Sequence, residues 1–334
     1  MAEIRVGVVG VGHLGKLHTK LYKQVENARL IGIVDENAEK AEAVAKEFEC
    51  KKYNSVEALM QDVDVLNIVT PTTHHYDIAA LAIKNKKHVF IEKPITATEE
   101  QARDLIKLAA ENNVLIQVGH IERFNPALLA LEDVQVKPVF IEAHRLASFN
   151  PRGTDVAVIL DLMIHDLDLI LHLVKSKPLK VDASGVGVVS KNVDIANARI
   201  EFENGCVANV TASRISAKKM RKMRIFQNNA YISLDFSDGF SEIFYIPQSE
   251  QTSFKDSTLA FSLGQIESGD QRRDIKYTKL ERKNVNPLQI ELQSFINSII
   301  NNKPAVVTAD DGLQALKLAN VVLEQIARHQ EKFI

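Results

Sequence analysis

The chain has 334 residues, 46% of them hydrophobic and 25% charged, with a net charge of −2. That length suggests two domains, each able to bury a core without metals or disulfides, and the near balance of charge argues against a general nucleic-acid binder, which needs a basic excess to displace counterions. The two cysteines, Cys50 and Cys206, give neither a disulfide framework nor a metal-ligand spacing.

No apolar run approaches the length of a membrane span, and strand character begins by Ile4, leaving no room for a signal peptide. The expectation is a cytoplasmic protein with no metal and no nucleic-acid or membrane partner. Ile4 to Val9 form an apolar, strand-like run, and Gly10-Val11-Gly12-His13-Leu14-Gly15 follows at once. Helical spacing then sets in at Leu14, Leu17, His18 and Leu21. A second apolar run, Leu30 to Val34, ends at Asp35, 20 residues beyond Gly15. This strand–turn–helix–strand–acid order is the pattern of a dinucleotide site. Gly10 permits the tight turn, Gly12 lets the backbone approach a pyrophosphate, and Gly15 lets helix and strand pack closely. The helix start, with His13 and Leu14, offers unpaired N–H groups and a positive dipole end to the phosphates. A carboxylate at Asp35 accepts hydrogen bonds from ribose hydroxyls and repels a 2′-phosphate, and neither Glu36 nor Asn37 brings a cation to offset it. The reading is NAD rather than NADP. Asp35 as a helix cap is the plainer alternative, and one residue can do both.

Strand-like and helix-like segments alternate as far as residue 121: strand Val63 to Val69, helix Tyr76 to Lys84, strand His88 to Ile91, helix Glu99 to Asn112, strand Val114 to Val118. Such alternation implies right-handed crossovers and a parallel sheet covered on both faces. Residues 1–121 are therefore expected to form an NAD-binding, doubly wound domain of Rossmann type. Glu92-Lys93-Pro94 stands at the carboxyl end of the strand from His88, where open parallel sheets bind ligands. Pro94 fixes its own φ and biases Lys93 toward extended backbone. A lysine held stiffly there can hydrogen-bond a reacting oxygen; alone, the motif would read as a solvated lysine in a turn.

The pattern then changes. Val139 to Leu146 and Val181 to Val189 read as longer strands. Residues 195–203 alternate apolar and polar and meet Asn204-Gly205, a strong hairpin turn, before 206–214 return. A second pair, 220–227 and 230–236, flanks Asn228-Asn229. Residues 250–275, rich in Ser, Gln and Asp, read as a mobile surface connection. Two helices follow, Pro287 to Asn301 and Ala309 to His329. Residues 122–334 are thus expected to be a substrate-binding α/β domain with an open, mainly antiparallel sheet. One face of that sheet has no obvious helix to cover it, which favours a homodimer or homotetramer.

In this half, Asp161-Leu-Met-Ile-His165 sets a carboxylate and an imidazole four residues apart, on one face of a helix. Imidazole titrates near neutrality and can take a hydroxyl proton as hydride leaves the same carbon, with Asp161 orienting the ring. Two alternatives stay open: Asp161, His165 and Asp168 as a polar stripe, or as a metal site, which has no third ligand at an obvious spacing. His172, a further turn along, reads as a helix-end residue facing the dipole. The cations Lys218, Lys219, Arg221, Lys222 and Arg224 read either as a diphosphate contact or as a solvated strand end.

In order, Gly10 to Gly15, Thr70-Pro71-Thr72-Thr73-His74-His75, Glu92-Lys93-Pro94 and Asp161 to Asp168 (DLMIHDLD) resemble the Gfo/Idh/MocA family of oxidoreductases, and the likeness runs over nearly the whole chain. The resemblance implies a Rossmann domain followed by an α/β domain whose open sheet often makes subunit contacts. It implies Lys93 and His165 as the catalytic pair and Asp161 as the supporting acid. Thr70, Pro71 and His75 would line the cofactor, with Glu92 near the nicotinamide. Thr72 stands where many members carry Asn and is counted with the cofactor set; Lys86 replaces a common glycine in a turn. Within the family, Gly119-His120-Ile121-Glu122-Arg123-Phe124-Asn125-Pro126 and the glycine-poor stretch from Asp155 to Leu160 look most like the nucleotide-sugar 3-dehydrogenases that act on UDP-N-acetylglucosamine. The implied function is NAD-dependent oxidation of a sugar hydroxyl, at C3 of a UDP-amino sugar, with Arg123, Asn125, His165, Arg221 and Arg224 toward the substrate. The same framework serves dehydrogenases or reductases of free sugars, inositols and dihydrodiols, NAD-dependent glycosidases, and non-catalytic NAD-dependent sensors. A sensor has no need of the proton acceptor that Lys93, Asp161 and His165 together supply.

Overall fold

The computed structural model describes residues 3–149, 156–247, 261–268 and 271–331. They cluster into two compact units, Met1–Ile121 with Asn286–Leu316, and Glu122–Val285 with Lys317–Ile334. Among the described residues no helix is long and apolar enough to cross a membrane.

The first unit is built on six parallel strands, β1 (Ile4–Val9), β2 (Ala28–Val34), β3 (Lys51–Lys52), β4 (Val65–Ile68), β5 (His88–Glu92) and β6 (Ile116–Gly119), in the order β3-β2-β1-β4-β5-β6. Helices α1 (His13–Tyr22), α2 (Ala38–Glu47), α3 (Val56–Asp62), α4 (His75–Lys84) and α5 (Glu99–Asn112) connect them. This is the dinucleotide-binding order, and ligands enter such sheets at the carboxyl ends where the order reverses, here between β1 and β4. Strand β4 is buried end to end, as a strand covered on both faces must be. Helix α5 starts sharply because Thr98 and Gln101 cap each other reciprocally.

Helix α8 (Pro287–Ile300) also belongs to this unit. Its Leu288, Leu292, Phe295 and Ile296 form one stripe and share a core with Val6, Val8, Tyr22, Ile33, Val65 and Phe90. Gln117 Nε2 donates to the Glu291 carbonyl at 2.9 Å, adding a polar tie to the packing. Running the second domain unbroken from 122 to 334 therefore misses a return. Helical spacing shows which face of α8 is buried, but not against which sheet.

Among the described residues the second unit carries nine strands: β7 (Phe140–Leu146), β8 (Pro178–Val186), β9 (Ile195–Phe202), β10 (Val207–Ser213), β11 (Met220–Gln227), β12 (Ala230–Asp235), β13 (Phe240–Tyr245), β14 (Phe261–Ser268) and β15 (Gln271–Glu281). Their order is β14-β15-β13-β12-β11-β7-β10-β9-β8, antiparallel except for the parallel pair β7–β10. Helix α6 (Pro126–Leu129) packs on β12, β13 and β15, and α7 (Ile164–Val174) packs on β7 and β10; the last helix is α9 (Ala309–Gln330). The other face bears a row of rings, Phe140, Phe226, Tyr231, Phe244 and Tyr277, with successive centroids 5.7, 5.0, 5.5 and 4.9 Å apart.

Two expectations need correction. Much of the supposed mobile connection over 250–275 is sheet, in β14 and β15, while 248–260 and 269–270 lie outside the described residues. Strands near a sheet edge need backbone partners more than an apolar face, so their polar composition hides them. Strand β8 ends at Val186 rather than Val189 because the Asp194 carboxylate accepts the N–H groups of Val188, Val189 and Ser190 at 2.8, 2.7 and 2.9 Å, turning the chain there.

Candidate active site

The glycine loop leaves β1 at Gly10, whose φ of +86° is open to glycine and strained for other residues. Gly15 is required by contact: a Cβ there would sit 1.9 Å from the Gly10 carbonyl oxygen, so α1 can press on the loop only without a side chain. Gly12 is different. A Cβ there would have only Lys40 Nζ, 3.7 Å away, as a neighbour, so the backbone lies bare. Gly12 is also the N-cap of α1, with no side-chain cap and no acid in the first turn, which leaves the N–H groups around His13 and Leu14 for an anion. Asp35, at the end of β2, accepts from Val11 N at 2.7 Å and Asn37 N at 2.9 Å. It is not the cap of α2; Asn37 is, accepting from Lys40 N at 2.9 Å. At the end of β4, Thr70 Oγ1 is buried with no hydrogen-bond partner among the described residues. A bare glycine, an uncapped helix start, a half-buried carboxylate and an orphan hydroxyl at one sheet crevice fit a dinucleotide. Gly12, His13 and Leu14 would take its phosphates and Asp35 its ribose.

After Thr70 come exposed Pro71 and a short 3-10 turn from Thr72 that leads into α4. The buried ring of His75 lies between two carbonyl oxygens, Thr70 O 2.9 Å from Nε2 and Pro94 O 2.9 Å from Nδ1, and the single N–H of the neutral ring donates to one of them. Burial pushes this imidazole below its ordinary range, against the pull of those carbonyls. Glu92 is 8% exposed at the end of β5, and half-buried Lys93 follows it. The Glu92 carboxylate accepts from Lys93 N at 3.3 Å, lies 3.1 Å from His18 Nε2, and occupies the space a Cβ on Gly119 would need.

In the second unit Asp161 lies in a single π-helical turn, Ile159–Met163, that runs into α7 with His165 in its first turn. The expected single α-helical face is thus interrupted between the two residues, and such π-turns are frequent at functional sites. Asp161 Oδ2 is 3.9 Å from Nη2 of Arg214, which also donates to Val156 O at 2.5 Å and lies by its Nε 4.0 Å from Asp194. Burial would raise the Asp194 carboxyl, but the N–H of Val189, the hydroxyl and N–H of Ser190 and the N–H of Val188 together hold it well below the usual carboxylate range.

The residues assigned to substrate behave unevenly. Arg123 is buried, donating from Nε and Nη2 to Asp168 at 2.6 and 2.7 Å and from Nη1 to His172 Nδ1 at 2.6 Å. It is an internal clamp, not a diphosphate ligand, and His172 answers it as well as ending a helix. Asn125 caps α6 and donates to Glu122 Oε2 at 3.0 Å. Arg145 grips Asp166 with two 2.8 Å bonds and Glu122 with one of 3.0 Å, and Arg221 pairs with Glu122 as well. Burial lowers the Arg221 guanidinium pKa. Arg224 instead meets Glu142 at 3.0 Å. Being three residues apart on one strand, Arg221 and Arg224 point to opposite faces, so one diphosphate cannot engage both.

Two family models match the chain: the NAD-binding Rossmann fold of the Gfo/Idh/MocA oxidoreductases over residues 4–120, and the Gfo/Idh/MocA C-terminal domain over 141–233. A UDP-N-acetylglucosamine 3-dehydrogenase from Acidithiobacillus ferrooxidans is 44% identical over 246 residues, 73% of this chain and 78% of that protein. The chain belongs to the Gfo/Idh/MocA family. It is an oxidoreductase, and NAD is its cofactor. A solved structure of the Acidithiobacillus 3-dehydrogenase superposes with a TM-score of 0.85 at 37% identity, covering 98% of each chain. Further off, an inositol 2-dehydrogenase from Rhizobium meliloti is 25% identical over 346 residues, covering 98% of each chain.

For a member of this family, sequence reasoning missed three supporting groups. Arg214 steadies Asp161 but stands at a strand end with no motif around it. The Arg145–Glu122–Asp166 cluster is visible only once β7 and α7 are packed. His18 was counted in the helical stripe of α1 and is fully buried; a histidine on an otherwise apolar stripe was the available signal. Among the described residues no group of His, Cys, Asp and Glu could hold a metal ion.

Proposed function

We propose that this chain oxidises the C3 hydroxyl of UDP-N-acetylglucosamine, giving a 3-keto sugar. The observation that carries the reading is the 44% identity, over 73% of the chain, with an enzyme named for that reaction. The presence of Lys93, Asp161 and His165 supports it. NAD, when bound, would supply the hydride acceptor. His165 takes the hydroxyl proton, and the Lys93 ammonium donates a hydrogen bond to the same oxygen as negative charge grows there. Asp161, steadied by Arg214, orients the imidazole and stabilises its protonated form. Gly10, Gly12, His13, Leu14, Gly15, Asp35, Thr70, Pro71, Thr72, His75, Glu92 and Lys93 form the cofactor side. Arg221, paired with Glu122 yet part-exposed on the sheet face that packs α7, is the cation we assign to the diphosphate. The ring-lined open sheet face pairs with that of a second copy, giving a homodimer or homotetramer. A reducing compartment suits the free cysteines Cys50 and Cys206, and we place the protein in the cytoplasm.

The test is NADH formation by the purified protein with UDP-N-acetylglucosamine, other UDP-sugars, free sugars and inositols, with the keto product trapped and its position assigned. Lys93→Ala or His165→Ala should lower turnover by about 10² or more while NAD affinity barely changes. Turnover of a free inositol with none on UDP-sugars would overturn the substrate; full activity in His165→Ala would overturn the base.

A further inference from the structure

One polar chain crosses the buried core of the first unit and ends at Glu92. Tyr22 and His18 of α1 are both fully buried, as is Asn67, a lone polar residue inside apolar β4. The Tyr22 hydroxyl donates to Asn67 Oδ1 at 3.1 Å. His18 Nδ1 meets both amide atoms of Asn67, Nδ2 at 3.0 Å and Oδ1 at 3.3 Å; with Oδ1 already taken by Tyr22, the shorter contact is the one in which Nδ2 donates. A neutral histidine that accepts at Nδ1 carries its proton on Nε2, and His18 Nε2, which makes no aligned hydrogen bond, lies in contact with Glu92 Oε1 at 3.1 Å. In that arrangement each link sets the proton of the next. Burial, then the charge of Glu291, pushes the Tyr22 phenol above its ordinary range, so it remains a donor. His18 is also held as a ring, edge-on to Phe90 with centroids 5.5 Å apart. On its other sides the Glu92 carboxylate meets Lys93 N–H and the bare Cα of Gly119, where a Cβ would come within 2.8 Å of it.

Burying four polar side chains in a sheet core is costly unless each is satisfied. Apolar packing would hold α1 on the sheet equally well, so the network serves the carboxylate at its end. We propose that His18 is a positioning residue: through the Tyr22–Asn67–His18 chain it fixes the Glu92 carboxylate, and so couples the glycine-loop helix to the strand end that receives the nicotinamide. The proposal rests on the reading that Glu92 borders the nicotinamide. A carboxylate so fixed is an acceptor for the carboxamide N–H₂ of that ring.

The experiment is calorimetry on the full chain with NAD and with ADP-ribose, which lacks the nicotinamide. His18→Leu keeps bulk and removes the donor; it should weaken NAD at least tenfold more than ADP-ribose. His18→Gln, which restores an N–H near the Nε2 position, should recover most of that ratio. Glu92→Gln should shift the ratio in the same sense, and His18→Leu with Glu92→Gln together should lose no more than either alone. Gly119→Ala, whose Cβ meets the flexible end of Glu92 first, should mimic them. Should His18→Leu fail to fold, Tyr22→Phe deletes one oxygen, frees the Asn67 amide to flip, and should still lower the ratio two- to fivefold. Equal losses for NAD and ADP-ribose in His18→Leu, or no ratio change in Tyr22→Phe, overturn the positioning role. An unchanged ratio in Glu92→Gln instead overturns the placement of the nicotinamide beside Glu92, and the proposal with it.

Discussion

Two glycines three residues apart in the loop should fail in different ways when changed to alanine. Gly15 lies inside α1, where alanine would ordinarily gain about 1 kcal/mol in helix propensity. Its Cβ would stand 1.9 Å from the Gly10 carbonyl oxygen, and that oxygen is backbone, so helix or loop must move by more than an ångström. Overpacking of this kind costs roughly 1–3 kcal/mol or more, and the helical gain offsets only part of it. Each net kcal/mol should lower Tm by roughly 2–4 °C in a unit of this size. Gly12→Ala meets nothing nearer than Lys40 Nζ at 3.7 Å and keeps a negative φ of −59°, so stability should move by under about 1 kcal/mol. The added methyl does occupy the space a pyrophosphate needs, and NAD should bind at least tenfold more weakly. Thermal unfolding and NAD calorimetry on both variants separate the cases. Native-like NAD affinity in Gly12→Ala, or a native Tm in Gly15→Ala, would refute the division of roles.

Asp35→Ser should narrow a preference for NAD over NADP of at least tenfold, measured by calorimetry, because it removes the carboxylate that repels a 2′-phosphate; tighter NADP binding by the native protein would contradict it. Arg221→Ala should weaken UDP binding and Arg224→Ala should not, while Arg123→Ala should cost about 3–5 kcal/mol of stability by stranding buried Asp168; equal UDP losses at 221 and 224 would disprove the face assignment. Burial lowers the His88 pKa, and His88 Nδ1 accepts from Leu115 N at 2.9 Å, a bond that protonation there removes. The unfolded chain takes up that proton near the ordinary value of about 6.5 and the folded chain resists it. Stability is therefore full above that pH and falls below it; Tm should drop on acidification, and His88→Asn should flatten the drop. Phe244→Glu, placing a charge in the ring row of the open sheet face, should reduce the mass by light scattering to that of a monomer, whereas an unchanged oligomer would exclude that face as the contact.

The first domain was legible because its elements carry their own signals. Strands buried on both faces are continuous apolar runs, and the loop announces itself locally: Gly10 by its own positive φ and Gly15 by the Gly10 carbonyl five residues back. Register in the second unit was legible where alternation was clean, as in β9 and β10 around Asn204-Gly205. What failed was long-range. Helix α8 reads as amphipathic, but nothing in its spacing says that Phe295 packs with Phe90 rather than with the nearer strands of the second unit. Strands β14 and β15 lie at one end of the sheet, and their polar sequences lack the clean alternation that would announce them.

The residues proposed to react stand in short motifs, whereas what holds them does not. A charge in a sequence counts as available for a ligand until the fold assigns it a partner. Arg123 is spent on Asp168, Arg224 on Glu142 and Lys222 on Asp235. Period-two alternation alone could have separated Arg221 from Arg224, since an odd spacing on one strand always divides the faces. No local rule finds the partner of Asp161, because Arg214 is 53 residues away and meets it only after β10 is paired with β7. The same holds for Glu92, whose seat is built from α1, β4 and β6. The groups proposed to react thus come from short motifs, while the residues that hold them come from other elements of the sheet. Substitutions at those supporting residues should act on affinity ratios and pH profiles rather than abolish chemistry, which is why the His18 and Tyr22 variants are read by binding and not by turnover.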